Sequence, residues 1–248
     1  MKKFLPLLIV VIALAGCKGC KEEDTGNFTV NLQAFVGSSP LSFVNSIYTD
    51  SMSKEFYFSK LKFFLAHVKL VRADNSEIEI ADAVFFDYGD NNWKSFSADV
   101  DAGTYKGIKF NVGLDVQQNS TNPDDYGSDV ALGPHNDMYW SWLKHRFIVL
   151  EGVADTAGNN FNGGVVSLAY HVGTDTCYKS VSILGNAVTI NAGEKKSVAL
   201  NLDLLKIFKN SSNPIDMFQT PGTQSESSDL PVALKFTDRF SESFSYSE

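Results

Sequence analysis

Cysteine is nearly absent from this chain: three residues in 248, at positions 17, 20 and 177. Two of them sit close to the amino terminus, so an obligatory disulfide framework is excluded and the fold has to rest on its core. Cations are too scattered for a nucleic-acid surface. Against 21 Lys and Arg stand 29 Asp and Glu, a formal charge of -8, whereas phosphate backbones require clustered basic side chains. No apolar run outside residues 4–14 is long, and that one is too short for a spanning helix. The chain has no Gly-x-Ser-x-Gly elbow, no phosphate-cradling glycine loop and no His-Glu-x-x-His. Histidine is scarce as well, at four residues, which makes each one informative.

The amino terminus, "MKKFLPLLIVVIALAGC", places two lysines, an apolar core and small residues before Cys17. That is the layout of a secretory signal, and Leu14-Ala15-Gly16-Cys17 resembles a bacterial lipobox. The expectation is a signal peptide over 1–16 and acylation of Cys17, whose acyl chains would insert into a bilayer at roughly 0.8 kcal/mol per buried methylene. Residues 17–26, polar and glycine-containing, read as a flexible tether. Lys18 and the acidic Glu22-Glu23-Asp24 resemble outer-membrane and surface-export signals. The protein is therefore expected on the outer membrane, at its periplasmic face or on the cell surface.

Beyond the tether the chain alternates with a period of two. "FTVNLQAFV", "EFYFSKLKFFLAHVKLV", "SEIEIADAVFFDY", "GTYKGIKFNVGL", "HRFIVLEGVA", "VVSLAYHVG", "VSILGNAVTINAG", "KKSVALNLDLLKIF" and "LPVALKFTDRF" are rich in Phe, Val, Ile and Tyr. Gly, Asn, Asp and Pro clusters separate them, as in short antiparallel strands. The pattern predicts an all-β fold over 27–248: an antiparallel β-sandwich with long loops and one or two short helices. The helix candidates are 202–209 and the stretch around 139–144. Long connections are expected at 111–136 and 210–229. The second reads as a mobile polar surface loop; the first holds Asp124-Asp125, whose carboxylates suit solvation or a modest calcium contact.

The first long connection leads into "HNDMYWSWLKHRFIVLEG", residues 135–152, which carries two of the three tryptophans and two of the four histidines. In a strand, Trp140 and Trp142 would face one side and stack. Two readings stand: Met138, Tyr139, Trp140 and Trp142 plug one end of the sandwich, or the indoles border a metal site. Of the other histidines, alternation puts His67 on the face of Leu65 and Lys69, and His171 falls near a strand end. A structural role is the ordinary one for a lone histidine, yet imidazole is also the commonest side-chain metal ligand. Cys177, six residues from His171, reads as a packing thiol and not a nucleophile, and the chain is not read as an enzyme.

"KLKFFLAHVKL", "GTYKGIKFNVGL", "NDMYWSWLKHRFIVLEG" and "YHVGTDTC", in that order, resemble the signature blocks of the MbnP-like family of copper-binding periplasmic or surface β proteins. The resemblance runs from about Asn27 to Leu205; its most specific parts are Met138 to Trp142 with Leu150-Glu151-Gly152, and His171 to Gly173. It implies a lipid-anchored protein for copper uptake, storage or handling. It also implies a tryptophan converted to kynurenine by a partner di-haem oxidase, with copper held nearby by histidines. Carried over by position, His171 matches the family's His-x-Gly histidine, and Trp140 and Trp142 its tryptophan pair; His135 and His67 are further candidate ligands. The chain also departs from the family. Gln118-Asn119 stands where many members have Asn-His. Leu143-Lys144-His145-Arg146 stands where they have Gln/Asn-Ser-Gly-Tyr, and His67 stands where asparagine is common. The competing reading is a surface interaction module for protein or glycan, its aromatic block purely structural.

Overall fold

The structure is a computed structural model that describes residues 24–43, 46–50, 53–90, 94–135, 137–209 and 214–247. The signal peptide, Cys17, Cys20 and most of the tether lie outside the described residues. In chain order come β1 (Thr25–Val36), β2 (Ser39–Pro40), β3 (Tyr48–Thr49), β4 (Glu55–Arg72), β5 (Glu77–Asp87), β6 (Ser95–Asp101), β7 (Gly103–Val112) and α1 (Val116–Asn119). Then follow β8 (Tyr139–Trp140), β9 (Lys144–Asp155), β10 (Val165–Gly173), β11 (Lys179–Ile190), β12 (Lys195–Asp203), α2 (Leu204–Phe208), β13 (Gly222–Thr223), α3 (Leu230–Glu242) and β14 (Phe244–Tyr246).

Period-two alternation explains the strands directly. In β1, Phe28, Val30, Leu32, Ala34 and Val36 are buried. On its other face Asn27, Thr29 and Asn31 form polar side-chain bonds to Asp99, Ser97 and Ser197. One sheet runs β14-β12-β1-β2, with β6 also on β1. The other runs β11-β7-β4-β9-β10-β13, with β3 and β5 on β4 and β8 on β9. The β-sandwich expectation holds. Most pairings are antiparallel, but β1 and β12 pair in parallel from Asn27↔Lys195 to Phe35↔Asp203, and β13 adds to β10 in parallel. A single apolar cluster draws on both sheets. Its aromatic centre is Phe63, which packs edge-on against Phe240 at 5.2 Å and parallel to Phe86 at 5.1 Å.

Three local expectations change. "LPVALKFTDRF", read as a last strand, is helix α3: Ala233, Phe236, Thr237 and Phe240 are its buried stripe, spaced as one helix face. A strand would have put Leu234 and Phe236 on one side, yet Leu234 is 36% exposed and Phe236 fully buried against Tyr170. The stretch around 139–144 is not helical; it is the turn of a hairpin between β8 and β9. β6 was not anticipated, although Phe96, Ala98 and Val100 alternate with Ser95, Ser97 and Asp99 along it. The helix expected near 202–209 is α2. Among the described residues no helix is long and apolar enough to cross a membrane.

Candidate metal centre

The site grows from the β8–β9 hairpin. Tyr139 pairs with His145 and Trp140 with Lys144, leaving three residues to reverse the chain. Leu143 N–H donates to Trp140 O at 3.2 Å and Lys144 takes a left-handed φ of 66°, the usual closure of a three-residue hairpin loop. This turn throws both indoles to one side. Their rings stack with centroids 5.1 Å apart and planes 24° apart, as the spacing of two predicted.

The plugging expectation holds for only part of the block. Met138 and Leu143 are buried and Trp140 is half-buried, but Trp142 is 58% exposed, because it occupies the outer corner of the turn. Trp140 is held on three sides: by Trp142, by the guanidinium of Arg146 at 3.3 Å from its ring centroid, and by the ring edge of His171 at 5.6 Å. Arg146 is itself buried, and burial pushes it down to about 10, still cationic at neutral pH.

Strand register builds the polar half of the site. Lys60 on β4 lies opposite Glu151 on β9, which lies opposite Ala169 on β10; His171, two residues on, shares that face. His171 Nε2 sits 2.9 Å from Glu151 Oε1, and Lys60 Nζ is 3.0 Å from Glu151 Oε2 and 2.8 Å from Asp137 Oδ2. Burial works against the Glu151 carboxylate, but Lys60 and His171 outweigh it and keep its pKa below the usual range. His171 Nδ1 meets the Gln224 side chain at 2.9 Å. Gln224 belongs to the segment expected to be a mobile loop. Instead, β13 pairs with β10 through Ala169↔Gly222 and Tyr170↔Thr223, which sets Gln224 beside His171.

The remaining histidines go elsewhere. His135 stacks on Phe85 at 3.9 Å with its Nε2 2.9 Å from Val130 O, and burial lowers its pKa. His145 is buried, edge-on to Phe64 and Tyr139, its pKa lowered by the same cause. His67 keeps only half of the alternation expected of it: it shares a polar pocket with Lys69, whereas Leu65 is buried in the core. It takes a left-handed φ of 48° at a bulge where the β4 register slips against β5 and β7, and meets Glu79, Asp82 and Asp115. Thus His171 joins the indole pair, and His67, His135 and His171 form no common cluster. Among the described residues, one group of three or more His, Cys, Asp or Glu ligand atoms lies within 4.8 Å: His67, Glu79 and Asp82. Asp124 and Asp125, the calcium candidates, fall in a short 3-10 turn outside it. Cys177 is buried, and burial pushes its thiol up.

Sequence reasoning missed Lys60, Asp137 and Gln224. The first two look like ordinary surface charges, and nothing in the polar stretch around Gln224 signals that it adds a strand. Glu151 could have been found, since it stands opposite Lys60 and diagonal to His171 once the strands are paired.

The MbnP family model matches residues 25–226 of the chain. Among solved structures, MbnP from Methylosinus trichosporium aligns with a TM-score of 0.55 at 17% sequence identity, covering 84% of this chain and 87% of that one. No curated protein is a significant match.

Proposed function

The chain belongs to the MbnP family, and from that premise we propose that it is a copper-handling protein of the bacterial envelope, a binding protein and not an enzyme. The observation that carries the reading is the meeting of His171 with the stacked Trp140 and Trp142 beside an ionised Glu151. Copper accepts imidazole nitrogen in either oxidation state. One imidazole and one carboxylate make an open donor set, which suits cargo that has to be released. A ring-opened indole would add an aromatic amine and a carbonyl next to His171. Trp142, 58% exposed at the turn, is the indole that a docked di-haem oxidase reaches without unfolding the hairpin. Lys60 competes for Glu151, so copper binding at this face exchanges one cation for another. His67 and His135 face other partners and are not part of this donor set.

In this reading acylated Cys17 tethers the domain to the outer membrane, at the periplasmic face or on the cell surface. The support is the signal-like amino terminus and the 17–26 spacer. The test is copper titration of the mature protein against a chromogenic chelator. His171→Ala is expected to weaken copper binding while leaving the far-UV spectrum intact, and unchanged affinity rejects the assignment. Intact mass of protein purified from its native host reads indole oxidation as a small gain localised to residues 140–142. The second reading, an interaction module, is favoured by one observation: Trp142 stands exposed between exposed Ser141 and Lys144. It predicts no copper retention and an unmodified mass.

A further inference from the structure

A second constellation, separate from the indoles, surrounds the β4 bulge. His67 Nε2 lies 2.9 Å from Asp115 Oδ2, while Nδ1 lies 3.1 Å from Glu79 Oε2 and 3.6 Å from Asp82 Oδ1. Asp115 is fixed from behind: its other oxygen caps α1 by accepting from Gln118 N–H at 2.8 Å. Gln118 in turn donates through Nε2 to Asp82 Oδ1 at 3.0 Å and Asp82 O at 2.9 Å. One glutamine therefore ties the orienting carboxylate to one of the two facing carboxylates.

This order of contacts has a chemical consequence. With Nε2–H donating to Asp115, Nδ1 faces two carboxylate oxygens, where the positive charge between them is supplied either by its own proton or by a metal ion that takes the proton's place. Lys69 and Lys109, the nearby ammonium groups, are both engaged by Glu77, at 3.4 Å and 2.7 Å. The spacing fits an ion. Two ligands on a tetrahedral zinc at about 2.1 Å stand about 3.4 Å apart, and the observed 3.1 and 3.6 Å bracket that value. A carboxylate holding the far nitrogen of a ligating histidine is the usual support of such a centre.

We propose that His67 Nδ1, Glu79 and Asp82 bind a divalent cation of the zinc class, with Asp115 as the carboxylate that orients the imidazole. Glu79 and Asp82 have side chains 42% and 66% exposed, so the fourth position opens to water and the ion exchanges with solvent. The Tyr178 phenol, pushed up to about 12 by burial and then by Asp115, Glu79 and Asp82, borders the same negative pocket. The site owes nothing to the indoles and goes beyond the copper reading.

The experiment is calorimetric titration of the mature protein with zinc chloride. Wild type is expected to bind one ion. His67→Asn and the double variant Glu79→Gln/Asp82→Asn are each expected to lose at least tenfold in affinity, and Asp115→Asn about 10- to 100-fold. His171→Ala is expected to leave zinc binding unchanged. Should His67→Asn fail to fold, the carboxylate double variant decides alone, because both its positions are solvent-exposed. No zinc binding by wild type, equal binding by the carboxylate variant, or loss of zinc in His171→Ala each overturns the proposal. None of these outcomes bears on copper affinity at His171, which is read in a separate titration.

Discussion

Truncating Trp142 is expected to leave the protein folded, and the size of the loss follows from the turn geometry. An indole buries at most roughly 250 Å². With Trp142 58% exposed, about 100 Å² is covered, worth about 2.5 kcal/mol at about 25 cal/mol per Å². Alanine retains part of that area and the unfolded chain already buries some of it, removing roughly a third. The stack on Trp140, at 5.1 Å and 24°, adds back about 1 kcal/mol. Trp142→Ala should therefore cost about 2.7 kcal/mol, below the about 3–5 kcal/mol for Phe63→Ala, whose ring is fully buried among Phe86, Tyr88, Phe240 and Phe244. The assay is urea unfolding followed by far-UV circular dichroism, since the indole itself is what changes. Equal losses for Trp142→Ala and Phe63→Ala would refute the exposed-corner geometry. They would also remove the argument that Trp142 is open to a partner oxidase.

Phe236→Ala should cost about 3–5 kcal/mol, because Phe236 is the centre of the α3 stripe and stacks on Tyr170 at 4.6 Å; a loss below 1 kcal/mol in chemical denaturation would mean that α3 does not dock. Gly152→Ala should destabilise by about 1–3 kcal/mol, since a Cβ there runs into Tyr57 O where β9 meets a separate register shift of β4, between Phe58 and Lys60; a melting curve like wild type would show that the two strands are further apart. Asp155 accepts backbone N–H bonds from Ala157, Gly158, Asn159 and Phe161, which hold its carboxyl below the usual range. The stabilisation is thus fully present above about pH 4 and fades as pH falls through the lowered folded value. Asp155→Asn should melt lower than wild type at neutral pH, with the gap narrowing under acid; a constant gap between pH 7 and 2 counts against the carboxylate.

Most of the sandwich was legible because a half-buried strand records its face in every second residue, as β1 does. Legibility failed where that rule meets a second one. In "LPVALKFTDRF" the apolar residues satisfy both periods in part. What decides for helix is packing, since Phe236 and Phe240 reach Tyr170 and Phe63 from one face, and no window of sequence contains those partners. Trp142 was misplaced for a related reason. The stretch around 139–144 reads as a helix candidate or as a plug at one end of the sandwich, whereas a turn closed by left-handed Lys144 puts an aromatic at its exposed corner. At His67 the break in alternation is the feature that creates the cluster, because the bulge parts it from buried Leu65 and leaves it on the polar face of Lys69, whose cross-strand partner is Glu79.

The wish to gather several imidazoles into one centre meets a limit set by β4 itself. Lys60, bonded to Glu151 beside His171, and His67 lie on this one strand. They are seven positions apart, which at about 3.3 Å per residue is about 23 Å along an extended strand. No side chain spans that distance, so a shared ion is geometrically excluded. Each imidazole is instead completed by carboxylates from the strands paired beside it, Glu151 on β9 for His171 and Glu79 and Asp82 on β5 for His67. Sites this far apart with no shared partners act additively. Zinc at His67 and copper at His171 should therefore load independently, and the indole pair answers only to the second.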